Sequence, residues 1–500
     1  MREKLLNYKS PWFLLLAMVT WIQAALPSNV TLKPFYDTTV IKTTGEKNKW
    51  MGEVPGLVRH FYVLDMRGYI RALYPTDDQA TGYTKKTLLD FHDKVQFHLG
   101  AEYGAFALAF HPNFQANGKL YLLYMGKPAD GNLPGAPGDW TPPGGIHILE
   151  EWKAEGDKRD QLTFQRTIWT YPHPRSYGVP TMVFGPEGKL FISNMDLRAN
   201  ARDSTMAGGK ILRIDIDHKD AGKEYAIPTD NPYYPSTDPK VVKEIWTSGF
   251  RQAWTLSYDP LTQKIWAGDV GHNDNEEINL IKPGRQYGWK QGSNGETIPI
   301  NGFNGPCSNS VDKTHCQDFE DPAYAFDWLT WGKQDGVMGI KCINGGMVFR
   351  GDPSSPFYGY LIADDVATDR LLAFKPGEEP QIIGDLVDFD NRHDHYGLIH
   401  VTSDSYGSLY GLFIGDPNYQ IYKFSHPDLT PLTVPVNLFT GRPQANKKTG
   451  PRMIVNLGHE VDDLHSAPGT LRTGRIFSVD GQSRQTSDRN ALPVGLYLVK

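Results

Sequence analysis

The chain has 500 residues, of which 39% are hydrophobic and 12% aromatic, with 50 glycines and 36 prolines spread along it. That balance excludes a disordered tail, a collagen-like rod and a coiled coil. Its 51 basic and 57 acidic residues leave a formal charge of -6 with no basic stripe, which argues against a nucleic-acid partner.

Arg2, Lys4 and Lys9 precede an apolar run from Trp12 to Val19, and the small residues Ala24 and Ala25 follow. A basic start, a short apolar segment and a small-residue end read as a secretory signal peptide over residues 1–25, cut near Ala24 or Ala25. The run is too short for a membrane span, and no later stretch could cross a bilayer. The expected product is secreted or periplasmic, free or attached to the cell surface. Asn29-Val30-Thr31 is a glycosylation sequon, meaningful only in a eukaryotic secretory pathway.

Helical periodicity is scarce beyond this leader. Short runs rich in Val, Ile, Tyr, Phe and Trp recur between Gly, Pro, Asn and Asp clusters, which is the pattern of strands. Six of them pair a polar turn with an alternating aromatic and aliphatic strand, at 61–73, 117–124, 186–193, 260–270, 357–364 and 405–413. Their unequal spacing points to an all-β repeat with loop insertions of different lengths, best met by a β-propeller. A large β-sandwich or two β domains would satisfy the same pattern.

Between the fourth and fifth runs, residues 291–343 are rich in Gly, Asn, Asp and Pro and read as a loop excursion on one rim, where binding sites usually sit. Cys307 and Cys316 lie in that stretch and could close a small loop, leaving Cys342 as a buried structural thiol. Arg350-Gly351-Asp352 spells an adhesion tripeptide at a strand-to-turn transition, where chance explains it. Residues 426–500 change character and end in a hairpin pattern with a turn near Asp480-Gly481, a C-terminal extension or small β appendage to a propeller over 35–425.

Two polar clusters could carry chemistry. Gly271-His272-Asn273-Asp274-Asn275-Glu276-Glu277 follows a strand ending at Val270, and loops dense in carboxylates and carbonyls suit a hard cation; a polar loop needing no ion looks the same. Asp388 to His395 sets carboxylates beside histidines, a pairing that tunes proton transfer but also occurs in exposed loops. His459-Glu460-Val461-Asp462-Asp463-Leu464-His465 has metal-ligand residue types at a spacing that fits no zinc signature, and reads as a solvated loop.

Several segments in order resemble one family. These are GAEYGAFALAFHPNFQ (100–115), FGPEGKLFIS (184–193), GGKILRIDID (208–217), IPTDNPYY (227–234), SGFRQAWTLSYDP (248–260), GDVGHNDNEEINLIKPGRQYGW (268–289) and INGGMVFRG (343–351). They are similar to the quinone-dependent glucose/sorbosone dehydrogenases, a family that also contains hedgehog-interacting-protein-like secreted proteins. The resemblance covers roughly residues 40–425 and implies a six-bladed β-propeller with long loop insertions on its top face.

It also implies pyrroloquinoline quinone (PQQ) lying flat on that face, a calcium ion polarising it, and a histidine taking the hydroxyl proton of a sugar or alcohol while hydride passes to the quinone. An electron acceptor would then reoxidise the cofactor. Carbonyl ligands to calcium would fall at Gly271 and His272, supported by Glu276 and Glu277. Arg251 matches the arginine beside the quinone, with Gln252 in place of the usual asparagine; Tyr287 and Trp289 match the family's YGW. Glu102 falls among the cofactor contacts.

The departures bear on activity. The family's catalytic histidine lies seven residues before the phenylalanine matched by Phe184, and that count lands on Tyr177, a poor base near neutral pH. His173 would serve only from a rearranged loop. The lysine that grips the quinone's acid groups falls near Ala367, with Arg370 or Arg392 as substitutes for the arginines that assist it. Two functions follow: an exported PQQ- and calcium-dependent sugar or alcohol dehydrogenase with His173 and Arg251 in the reaction, or a non-catalytic propeller binding a glycan or protein on its top face.

Overall fold

The structure, a computed structural model, describes residues 25–35, 46–78, 80–97, 103–127, 145–173, 179–195, 201–271, 275–289, 323–327, 340, 342–368, 370–385, 397–413, 420–441, 475–477 and 483–485. The leader up to residue 24, Cys307, Cys316, the 388–395 cluster and the 459–465 cluster lie outside them.

The chain opens with β1 (Thr31–Pro34) and then builds sheets from consecutive strands. Blade 1 is β2 (Asn48–Glu53), β3 (Phe61–Asp65), β4 (Tyr69–Pro75) and β5 (Tyr83–Asp90). Blade 2 is β6 (Ala105–Phe110), β7 (Lys119–Gly126), β8 (Gly145–Glu155) and β9 (Gln161–His173). Blade 3 is β10 (Met182–Phe184), β11 (Leu190–Asn194), β12 (Lys210–Ile214) and β13 (Ile245–Ser248). Blade 4 is β14 (Ala253–Asp259), β15 (Lys264–Asp269), β16 (Asn275–Leu280) and β17 (Tyr324–Asp327). Blade 5 is β18 (Ile343–Val348), β19 (Leu361–Asp365), β20 (Arg370–Phe374) and β21 (Gln381–Asp385). Blade 6 is β22 (Leu398–Ser403), β23 (Leu409–Phe413) and β24 (Gln420–Ser425), and β1 fills its outermost place.

Every neighbouring pair is antiparallel, and the innermost strands touch in the order β2, β6, β10, β14, β18, β22 and back to β2. The ring is therefore a six-bladed propeller. Residues Arg442–Lys500 form a separate compact unit in which β25 (Arg475–Phe477) pairs with β26 (Ser483–Gln485) as a hairpin.

Convergence on one axis dictates the inner residues. In β6 the small residues Ala105, Ala107 and Ala109 alternate with Phe106, Leu108 and Phe110, and all six are buried. Between blades 4 and 5 the backbones come closer still. A Cβ on Gly345 would meet Thr255 Oγ1 at 2.3 Å, and one on Gly268 would meet the Gly345 nitrogen at 2.4 Å. Larger side chains fill the seams farther out, as Phe191, Ile211, Leu256 and Ile265 do between blades 3 and 4. Burying each such side chain contributes about 1.5–3 kcal/mol.

β1 closes the ring, with Thr31 opposite Ser425 and Pro34 opposite Tyr422. Leu26 N–H donates to Gln381 Oε1 at 2.7 Å and Val30 N–H to the Ile383 carbonyl at 2.9 Å, so the segment also binds blade 5.

The six runs read from sequence are the second strands of the six blades, the first of them extending through β4. The stretch 291–343 is not only loop, because it supplies β17, the outermost strand of blade 4. Arg350 is structural: its guanidinium forks Asp259 at 2.9 and 2.5 Å and clasps blade 5 to blade 4. Residues 426–441 continue the first unit, with Leu432 N–H bonded to the Tyr406 carbonyl and Val436 N–H to that of Ser405. Cys342 is half-buried against the axial core.

Candidate functional site

In a four-stranded meander, the entry to the first strand, the turn between the second and third, and the exit from the fourth share one end. That end, here the upper one, carries Arg251 before β14, Gly271 after β15, Cys342 before β18 and Ala367 after β19. Hydrogen bonds between blades confirm a common level: Ala105 N–H donates to the Met66 carbonyl, and Ile343 N–H to Glu276 Oε2 at 2.8 Å.

The segment before β14 is zipped to the one after β16. Gly249, at φ 87°, lets Tyr287 N–H reach the Ser248 carbonyl and Trp289 N–H reach its own carbonyl, each at 2.9 Å. A Cβ there would lie 2.7 Å from the nitrogens of Tyr287 and Gly288. Phe250 stacks on Tyr287 at 4.7 Å, and the Tyr287 hydroxyl donates to the Leu280 carbonyl at 2.6 Å.

On this base Arg251 is held from two sides. Its N–H donates to Asp269 Oδ2 at 3.2 Å, its Nη1 donates to the Val270 carbonyl at 2.9 Å, and the guanidinium stands 5.8 Å from the Trp289 ring centroid. Gln252 is buried and its N–H donates to Asp269 Oδ1 at 2.6 Å. Burial pushes Asp269 up to about 7 against the pull of those two N–H groups.

Glu276 spends one oxygen on Gly271 N–H at 3.0 Å and the other on Ile343 N–H, tying the loop after β15 to blade 5. Its complete burial raises its pKa well above the usual carboxylate range. It is placed to brace the loop. Glu277 sits across from Asp269 and accepts from Asn279 Nδ2 at 3.2 Å. Among the described residues no three His, Cys, Asp or Glu side chains converge as a metal group, so the donors in reach of a cation are backbone carbonyls such as that of Gly271.

The structure thus brings together Arg251, Gln252, Gly271, Glu276 and Glu277. His173 ends β9, the outermost strand of blade 2, opposite Gly145. Arg370 is buried on β20 opposite Asp365, and Ala367 lies half-buried in the tight turn between β19 and β20. Glu102, Tyr177, His272 and Arg392 lie outside the described residues.

Asp269 and Val270 were not singled out in the sequence, although both orient Arg251. Their signal is an aspartate closing the second strand of a blade, repeated at Asp65 and Asp365; Asp365 likewise accepts an N–H, that of Cys342, at 2.6 Å. Several buried polar atoms at this end have no partner among the described residues: the Tyr103 hydroxyl, the Asn194 amide, Trp254 Nε1 and Trp289 Nε1. Groups left so expect water or a ligand. Trp289 Nε1 beside Arg251 offers a donor to an anionic ligand, and in that respect the end suits PQQ.

The profile of the family described as "Glucose / Sorbosone dehydrogenase" matches residues 80–351. The chain is 28% identical over 245 residues to the HIPL1 protein of Arabidopsis thaliana, covering 40% of this chain and 34% of that one. It is 29% identical over 198 residues to the human Hedgehog-interacting protein, covering 36% of this chain and 26% of the other. The matches therefore span about a third or less of these curated relatives. The PQQ-bound aldose sugar dehydrogenase from Streptomyces coelicolor superposes with a TM-score of 0.54 at 17% identity, over 80% of this chain and 99% of that one, which shows a shared fold. Among the described residues no helix is long and apolar enough to cross a membrane.

Proposed function

The chain belongs to the glucose/sorbosone dehydrogenase family, and from that premise we propose that it is an exported dehydrogenase oxidising a sugar or related alcohol at the upper end of the propeller, with PQQ and calcium. The observation that supports this most is the seating of Arg251. One Nη is anchored on the Val270 carbonyl and the plane stands by Trp289, so the other donors of the fork hold a fixed direction. A preorganised cation of this kind stabilises negative charge that develops during reaction.

PQQ, when bound, supplies a hydride acceptor for the alcohol's carbon. Arg251 would stabilise the developing charge, Glu276 fixes the Gly271 loop whose carbonyls would hold a cation, and His173, from the exit of β9, would have to reach in to take the hydroxyl proton. Reoxidation then needs a separate electron acceptor.

The test is a titration of the leaderless protein with PQQ and calcium, followed by cofactor absorbance and then by dye reduction with a panel of aldoses. Calcium-dependent binding with dye reduction is expected, and His173→Ala should abolish turnover while leaving binding intact. Absence of PQQ binding at high micromolar concentration would overturn the reading.

One observation favours a second reading, a propeller that binds a glycan or protein without turnover. At the position of the family's lysine, Ala367 offers a methyl group in a turn closed by Thr368 N–H on the Asp365 carbonyl at 3.2 Å. That side chain brings no charge to hold an acid group of the cofactor.

A further inference from the structure

The end of the ring opposite the candidate site is crossed by a strap. β24 stands third in its blade and so finishes at the lower end, from which residues 426–441 run on as part of the same unit. The Thr430 carbonyl accepts Asp352 N–H of blade 5 at 2.7 Å. Leu432 and Val436 N–H donate to the Tyr406 and Ser405 carbonyls at 2.7 and 2.8 Å, in the turn between β22 and β23 of blade 6. Phe439 packs against both the axial core and the seam of blades 1 and 2, and a Cβ on Gly441 would lie 2.4 Å from Leu261 of blade 4. The strap thus lies over the lower mouth of the ring.

The turn that receives it is seated on two buried carboxyl groups. Glu53, the last residue of β2, accepts Ser405 N–H at 2.7 Å with one oxygen and Arg59 N–H at 2.5 Å with the other, and so joins blade 1 to blade 6. Asp404 accepts Tyr406 N–H at 3.0 Å, Ser408 N–H at 2.9 Å and the Tyr410 hydroxyl at 2.8 Å. Glu53 is 3% exposed and Asp404 1%. Two neighbouring carboxylates that have both lost their water are costly, so the pair favours keeping a proton. Burial, and behind it the charge of Asp404, push Glu53 up to about 8 against the pull of its N–H donors, and burial raises Asp404 as well.

The surrounding groups do not cancel this. Lys423 of β24 attracts the Asp404 charge, but burial of Asp404 outweighs it, and burial lowers Lys423 in turn. Arg59 lays its guanidinium over the Tyr406 ring, 4.9 Å from the centroid, and His60 of the same loop donates from Nδ1 to the Val58 carbonyl at 3.0 Å. Tyr83 and Tyr410, both raised by burial, stay neutral, and Asp77 beyond them adds only negative charge. His400 joins the same two blades through the Met51 carbonyl at 2.9 Å, and burial holds it down to about 4, so it is neutral above pH 5.

We propose that Glu53 and Asp404 form a proton-operated latch for the strap: while the pair keeps a proton the 404–408 turn stays on Glu53 and the strap stays closed, and when both carboxyls ionise the turn parts from blade 1 and the strap lifts. The proton leaves to solvent, and water enters the seam to hydrate the second charge, a local opening rather than unfolding. The sign follows from linkage. A carboxyl held above its unfolded value contributes its full stability below that value, about 4.5, and loses it as pH rises through about 8. The inference concerns the lower end alone and does not depend on cofactor binding or turnover.

Urea unfolding of the leaderless protein from pH 5 to 9 tests it, together with hydrogen exchange of peptides from 426–441 corrected for the intrinsic rate. Between pH 5 and 8.5 the wild-type unfolding equilibrium should shift toward the unfolded state by about tenfold or more relative to Glu53→Gln. Protection of the strap should fall over the same interval, while that of β11 and β12 in blade 3 holds. Asp404→Asn keeps an acceptor for the two turn N–H groups but removes the neighbouring charge, and should shrink both changes. The slope with pH is read rather than the level, since each amide also alters the level. The latch is overturned if wild type and both variants follow parallel courses with pH. It is equally overturned if stability falls with pH while the strap and blade 3 lose protection together, which would make the pair a buried acid group with no moving part.

Discussion

Blades 1 and 4 end their second strands on the same residue type and put it to opposite use. In blade 1, Asp65 is completely buried and accepts from Arg67 at 2.9 and 2.5 Å and from Arg71 at 2.9 Å. Burial alone would raise its pKa, but those bonds outweigh it and hold the carboxyl below its usual range. In blade 4, Asp269 accepts from the backbone N–H groups of Arg251 and Gln252, and the Arg251 guanidinium turns away to the Val270 carbonyl. One aspartate neutralises its arginines. The other positions an arginine and leaves its charge for something else.

The largest break should come in blade 1. Asp65→Asn removes the buried counter-charge that Arg67 and Arg71 share and leaves Glu46, 3.4 Å from Arg71, as their neighbouring carboxylate; removal of one partner of such a cluster costs about 3–5 kcal/mol, read as a lower urea midpoint. The pH dependence follows. A carboxyl held low in the folded state stabilises above its unfolded pKa, and the contribution is lost as pH falls through the folded value. Wild type should therefore lose stability on acidification below the ordinary carboxylate range, with Asp65→Asn losing less over the same interval in midpoints recorded from pH 7 to 2.5.

Arg251→Met should do the reverse. Its cost falls on turnover, about 10²–10³-fold in kcat, with the urea midpoint nearly unchanged; equal loss in both would dissolve the contrast between the blades. Gly345→Ala should cost about 1–3 kcal/mol by overpacking, because its methyl would meet Thr255 Oγ1 and the Gly268 backbone. The smallest effect is expected at the exposed pair Lys86–Asp160, 2.7 Å long, where Lys86→Ala should shift stability by less than about 1 kcal/mol.

Much of the fold was legible because a polar turn followed by an alternating strand is local chemistry. All six second strands carry it, from Phe61 in blade 1 to Leu409 in blade 6. The first strands were harder to read, since Asn48 to Glu53 and Ile343 to Val348 are shaped by convergence on the axis more than by alternation. The pairing of Thr31 with Ser425 is invisible at short range, and β17 was hidden in a run of turn-forming residues. At the site, the SGFRQAW and QYGW motifs carried Arg251 and Trp289 through resemblance, and their mutual hydrogen bonds explain why they occur together.

The closing strand has a consequence for how the molecule is made. β1 emerges from the ribosome before the other described strands and is seated after nearly all of them, since the Thr31 hydroxyl waits for the Ser425 carbonyl, 394 positions downstream. Such a contact is among the slowest a chain can form. Until it forms, β24 presents a bare edge, which is an invitation to a strand from another copy. A bulky fusion placed just ahead of Leu26 would burden this last step, whereas one added to the loop between two outer strands would not. The order of synthesis and the order of assembly run in opposite directions around the same circle.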